Sequence, residues 1–413
     1  MKITEIEVHE IMHEYEDWLD YPLMHYEGPK RRTIYVAHTD TGLQGLGESG
    51  RPEPQDVIDQ YIGTSPFDWV GDVTSIGLGT AMYDLMGQAA GVPVYQLFGP
   101  KCRSWVPRGS WIVSTHPDRM AETVRRYAAK GFTWLKFHLS PFENVIDQIE
   151  AMSAVAPLGF KLHYDFTGGG TVDHVPQLLT RLAEHDISGC FEDSMDAADT
   201  LGSIELRQTI RLPIVRHQAP LGARFEVMQR AGDIYMLGHH HIGTVIERAA
   251  LFAAANVPFM LQNVGGAITT TMTTHMMAAF PTAKFHFFTD EETWTGDVVD
   301  ETLHVINGHM RVSESPGLGL TLNREKLEYH KQLKIDDQPG WIVKSQFANR
   351  TKMYHYYEPG KSGHFLIRPD WKSGGVPMSY DAPITTEYWD DDGSPQFNAM
   401  RERLGREYMV MEN

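Results

Sequence analysis

Cysteine is almost missing. The 413-residue chain holds two, Cys102 and Cys190, so neither a disulfide framework nor a thiolate zinc cluster can be built from it. Positive charge is also short: 36 Lys and Arg against 54 Asp and Glu leave a net charge of −18. Such an excess works against general affinity for nucleic-acid phosphates or anionic membranes. It leaves room for a small anionic substrate, because a few local cations or a metal reverse the sign inside one cleft. No apolar run approaches the roughly 18 residues of a membrane span. The first residues, MKITEIEVHEIMHEYEDW, alternate like a strand and carry acids where a signal peptide has an apolar core. These absences predict a cytoplasmic protein with no nucleic-acid or membrane partner. What is present is ordinary globular composition, 42% hydrophobic and 22% charged, in a chain long enough for two or three domains.

Residues 2–12 read as a strand, 13–32 as a loop broken by Pro22 and Pro29, and 34–49 as a hairpin turning at Gly42. Residues 54–98 are largely helical in pattern and end in the small-residue-rich stretch AMYDLMGQAAGVPVYQLFG, interrupted at Gly91 and Pro93. From about residue 108 short apolar runs alternate with helical stretches at 116–130, 143–155, 173–185, 199–210, 222–231, 243–255 and 268–279. That alternation predicts parallel strands with crossover helices. Polar residues near the strand ends, Lys136, Asp165, Glu192, Gln218, His241, Gln262 and Asp290, are 29, 27, 26, 23, 21 and 28 residues apart. An eight-unit barrel averages about 30 residues per unit and carries its chemistry at the carboxyl ends of its strands. The expected fold class is therefore α/β, a TIM-type (β/α) barrel over 108–325. An α+β domain over 1–107 precedes it, and an extension over 326–413, closed by a helix at 396–409, follows.

On a strand, residues two apart share a face, so Lys136 and His138 both turn toward the barrel mouth. Two basic groups there can remove or deliver a proton at a bound carbon; a snorkelling lysine and a hydrogen-bonded histidine are the plainer alternative. Asp165 and Glu192 end successive apolar strands and converge on one axis. Acids so placed are seldom buried without a partner or a metal, and their hard oxygens suit Mg²⁺. Helix capping is the competing role, weak for Asp165 with its glycine run and good for Asp193.

These residues resemble the enolase superfamily, in its mandelate racemase and muconate-lactonizing branch. The resemblance rests on the helix AMYDLMGQAAGVPVYQLFG, the lysine strand LKFHLS, the Asp165 strand KLHYDF, the Glu192 strand CFEDS, the strand LPIVRHQ and the closing segment PGLGL. It covers roughly residues 1–325 and rests on order and spacing. It implies that residues 1–107 are a capping domain and that Asp165 and Glu192 hold one Mg²⁺ per subunit. The third metal position falls on Gln218, beside His217, where the family has a glutamate. Gly238 and His241 stand where the family places an acid or a lysine, and Gln262 where the racemase type has a histidine. The family's chemistry is removal of a proton α to a carboxylate, with Mg²⁺ stabilising the charge that develops. Lys136 is the expected base, its pKa lowered by metal, His138 or burial, and His138 or His241 the expected acid or second base. Only one face has an evident strong base, so an acid-sugar dehydratase is expected ahead of an epimerase or racemase. The expected partner is a small-molecule carboxylate substrate, and a homo-oligomer fits this barrel type. Tyr15, Trp18, Tyr21, His25, Tyr26 and Lys30 in the 13–32 loop are expected to close over it.

Two other classes remain. His239 and His241 face the same way on a regular strand, and His-rich tracts bind metal; this motivates a zinc barrel hydrolase, although such enzymes carry His-x-His on the first strand. The loss of a carboxylate at Gln218 motivates a non-catalytic acid-binding barrel. Met272 and Met276, four apart, are expected to pack in a helix.

Overall fold

Three antiparallel strands, β1 (Ile3–His13), β2 (Lys30–Thr39) and β3 (Gln44–Ser49), open the computed structural model in that spatial order. The structure describes residues 1–140, 142–167, 175–196, 198–217, 222–337, 339–357, 380–381, 384–407 and 409–413. The β2–β3 hairpin turns at Gly42, whose φ of +83° favours glycine. Helix Ile76–Ala90 packs on β3 at very short range, because small residues line both sides. A Cβ at Gly47 would lie 2.1 Å from the Gly77 carbonyl oxygen, and one at Gly45 2.4 Å from that of Ala81. The helix ends at Gly91, in the left-handed conformation.

The expected loop at 13–32 is instead largely a helix, Asp17–Tyr26, with Pro22 inside it. Leu19, Leu23 and Pro22 lie at helical spacing and are buried with Met24 against Trp111 and Val113. That packing outweighs the hydrogen bond lost at proline.

After the short strand β4 (Trp105–Pro107) comes a seven-stranded parallel sheet of β5 (Ser110–Val113), β6 (Trp134–His138), β7 (Lys161–Asp165), β8 (Ser188–Glu192), β9 (Ile214–His217), β10 (Ile234–Gly238) and β11 (Phe259–Gln262). Neighbours in space follow chain order. Helices follow the strands near the predicted bounds, for example Pro117–Ala129, Val145–Ser153 and Ile242–Ala254. Residues 282–288 bond to both edges of this sheet. Phe288 N–H donates to the Leu261 oxygen at 3.1 Å, and Gly109 N–H to the Phe287 oxygen at 3.0 Å. The sheet is therefore curled, and the fold is α/β, with parallel strands in chain order. Met272 and Met276 are buried in helix Ala267–Ala279, as expected of packing residues.

β12 (Val305–Ile306) and β13 (His309–Arg311) add to β4 in a small sheet. Beyond residue 326, β14 (Trp341–Phe347), β15 (Lys352–Tyr357), β16 (Ile384–Asp390) and β17 (Met409–Glu412) form an antiparallel sheet ordered β16-β14-β15-β17. Phe142, from the segment after β6, shares a core with Trp341, Val343, Met353 and Tyr357 of this sheet. Among the described residues, no helix is long and apolar enough to cross a membrane.

Candidate active site

The parallel register pairs His138 with Asp165 and Asp165 with Glu192, so these three side chains start from one level of the sheet. One step earlier, Lys136 pairs with His163 and His163 with Cys190. The Lys136 side chain is long enough to climb to the upper level. Its Nζ stands 2.9 Å from Asp165 Oδ2 and 2.9 Å from Glu192 Oε2, and donates to Gln262 Oε1 at 2.7 Å. Lys136, Asp165 and Glu192 are all buried. Burial alone would lower the lysine pKa, but the carboxylates of Asp165 and Glu192 outweigh it and raise the pKa. The expected lowering is thus reversed in this arrangement. Burial likewise opposes ionisation of Glu192, yet Lys136 and the flanking histidines hold its carboxyl well below the usual range.

His138 Nδ1 lies 3.2 Å from Asp165 Oδ2, and His217 Nδ1 lies 3.2 Å from Glu192 Oε1. Gln218 lies outside the described residues. Asp193, next to Glu192, has a left-handed backbone, φ +44°, and its Oδ1 accepts from the His217 N–H at 2.9 Å. Burial and the neighbouring Glu192 push its carboxyl up to about 7.

The cavity above these groups holds about 280 Å³ and is lined by Tyr26, Trp111, Lys136, His138, His239 and Gln262, among others. His241 is not among the lining residues; it is the N-cap of the next helix. β10 ends at Gly238, and His239 takes φ +55°, so strict alternation fails there and it is His239 that reaches the cavity. The His239–His241 pair expected of a zinc hydrolase is therefore not carried on a regular strand. Of the aromatic and polar residues expected to close over a substrate, Tyr26 reaches the cavity. His25 is instead buried, its Nε2 2.8 Å from Asp390 Oδ1. Lys30 is ion-paired with Asp290 and Glu27.

The sequence pattern did not single out His163 and His286. His163 Nε2 is 2.7 Å from Glu192 Oε2, and its Nδ1 is 3.0 Å from His286 Nε2. Both rings are buried, and burial lowers both pKa values. His163 stands two residues before Asp165, so strand alternation alone places it inside.

The donor set fits a hard divalent cation. Asp165 and Glu192 offer carboxylate oxygens at one level, and ligand atoms of Glu192, Asp193 and His217 lie within 4.8 Å of one another. Glu192 Oε1 is buried, with His217 Nδ1 3.2 Å away.

Residues 119–326 match the family model described as enolase C-terminal domain-like. The chain belongs to the enolase superfamily. The matched model is the C-terminal domain model of the mandelate racemase and muconate-lactonizing branch. The chain is 26% identical over 289 residues to the D-xylonate dehydratase of Haloferax volcanii, covering 62% of this chain and 68% of that protein. It is 23% identical over 266 residues to the arabinonate dehydratase of Saccharolobus solfataricus, covering 62% and 71%. Among solved structures, an enolase from Thermobispora bispora complexed with magnesium and formate superposes with a TM-score of 0.68 at 22% identity. That match covers 80% of this chain and 93% of that one. The superfamily fold thus accounts for the strand-end placement of Lys136, Asp165 and Glu192, whatever their roles.

Proposed function

We propose that this superfamily member is a magnesium-assisted hydro-lyase that removes the proton α to a carboxylate and expels a β-hydroxyl, with an acid sugar as substrate. The observation that carries the reading is the meeting of Lys136 and His138 with Asp165 and Glu192 beside one 280 Å³ cavity. The two relatives named as sugar-acid dehydratases support the substrate class.

Asp165 and Glu192 would hold the ion, with His217 or Gln218 as the third ligand. An ion held there would supply positive charge beside the substrate carboxylate and would offset the carboxylate charge that Asp165 and Glu192 direct at Lys136. Lys136 receives the α-proton, breaking the C–H bond. The C–O bond to the β-hydroxyl breaks as a carbon–carbon double bond forms. His138 gives a proton to the departing oxygen, which leaves as water. The enol product then becomes a 2-keto acid. Trp111 and Tyr26 close the walls and limit water entry.

The reading takes the parallel strands and residues 283–288 as a closed (β/α) barrel over 108–325. Residues 1–107 are its cap and 326–413 an extension that buttresses the segment after β6. The subunits associate as a homo-oligomer. His239 favours an epimerase as the second reading, because it lines the same cavity as Lys136 and offers a second base.

The test is a screen of acid sugars in D₂O with Mg²⁺, following α-proton exchange and 2-keto product. Dehydration is expected, and Lys136→Ala or His138→Gln should lower it by about 10²–10⁴-fold. Exchange with inversion and no loss of water selects the epimerase. Exchange that survives Lys136→Ala removes this mechanism.

A further inference from the structure

Lys136 is held as a cation would be. Its Nζ meets three oxygens, Asp165 Oδ2 and Glu192 Oε2 at 2.9 Å and Gln262 Oε1 at 2.7 Å. These are one acceptor for each proton of an ammonium. Two of the three belong to the carboxylates proposed to hold the divalent ion. An ion bonded to either oxygen at about 2.1 Å would lie within about 5 Å of Nζ, and the whole group is buried, where like charges repel with little screening. The third acceptor, Gln262, is neutral and lines the cavity with Lys136 and His138.

We infer that Lys136 and a divalent cation exchange for the Asp165–Glu192 pair, and that Gln262 keeps the released lysine at the cavity wall. The inference rests on the reading of Asp165 and Glu192 as the cation ligands. It makes Lys136 a built-in counter-ion in the metal-free protein. Lys136 gives up two of its three oxygen contacts on metal loading, so filling the site and releasing the lysine side chain become one event. Gln262 is then a positioning residue: it stands where a racemase-type member would carry its own base, and here it orients the lysine instead.

The experiment is calorimetric titration of Mn²⁺ into the full chain as wild type, Lys136→Met, Gln262→Leu and Asp165→Asn, with circular dichroism as the folding check. Lys136→Met is expected to bind at least ten-fold tighter, because the competing cation is gone. Gln262→Leu is expected to weaken binding a few-fold, because the displaced ammonium loses the one acceptor left to it, and to lower kcat more than it changes KM. Asp165→Asn is expected to abolish binding. Equal or weaker affinity in a folded Lys136→Met overturns the exchange, as does binding that survives Asp165→Asn, or no binding in any variant. If Lys136→Met does not fold, Gln262→Leu decides: weaker binding supports the exchange, and unchanged or tighter binding overturns it. A chain that shows the affinity gain but turns over no acid sugar loses the hydro-lyase reading and keeps the exchange. Turnover with no affinity gain has the opposite consequence.

Discussion

Gly238 leaves the space that the His217 ring fills: a Cβ built on Gly238 would lie 2.2 Å from His217 Nε2 and 3.1 Å from Cε1. The two residues lie on neighbouring strands, with Met236 opposite His217, so the ring leans along the sheet over the end of β10. A side chain at position 238 and the imidazole would compete for one volume. Gly238→Ala is expected to destabilise the fold by about 1–3 kcal/mol through overpacking. His217→Ala in the Gly238→Ala background should recover most of that loss in urea unfolding. A cycle with no coupling between the two sites would sink the steric account.

Beneath the sheet, Arg108 is wholly buried, its Nη2 2.6 Å from Glu292 Oε2 and 3.0 Å from Glu291 Oε2. Its partner Glu292 is buried deeply enough that its carboxyl is pushed up to about 8 despite the guanidinium beside it. Removing one member of such a pair costs more than removing both. Arg108→Met should therefore lose about 3–5 kcal/mol, and Arg108→Met with Glu292→Gln should be the more stable of the two variants.

Glu143 sits between β6 and the C-terminal sheet, and burial alone pushes its carboxyl up to about 8. Between pH 4.5 and 8 the folded chain holds this proton more tightly than the unfolded one, so stability falls as pH rises through that window. Glu143→Gln removes the dependence. It should raise the melting temperature at pH 8 by several degrees over wild type and leave it little changed near pH 4.5. An identical difference at both pH values would contradict the assignment.

The contact of β3 with helix Ile76–Ala90 makes a simpler prediction. Gly47→Ala places a methyl 2.1 Å from a backbone oxygen, and backbone cannot step aside as a flexible side chain does. A loss of about 1–3 kcal/mol is expected, read by thermal unfolding, whereas Gly42→Ala pays only for its φ of +83°.

The strand–helix units between 108 and 282 were legible because each apolar run is short, ends in a polar residue and is followed by a helix-period stretch. The convergence of Lys136, His138, Asp165 and Glu192 in space, though not their roles, follows from the same period. Helix Asp17–Tyr26 was hidden by Pro22, because local propensity argues for a break while long-range burial of Leu19 and Leu23 decides otherwise. Alternation turned His239 and His241 the same way and could not choose between them, whereas the strand ends at Gly238 and the backbone turns left-handed at His239. The C-terminal sheet was hidden because aromatic and charged residues occupy both of its faces, as in KMYHYY and ITTEYWD, so no clean period of two survives. The lysine's seat between two acids was also out of reach, since spacing predicts levels and not how far a long side chain climbs.

Tyr26 reaches the cavity from a helix whose preceding residue, His25, is fastened to Asp390 and boxed by Trp341 and Tyr388. An early helix and a late strand of the chain thus meet directly behind that wall. A ribosome that has delivered every strand of the parallel sheet has not yet delivered the clasp that seats this helix, and the pocket waits for residue 390 before its rim is complete.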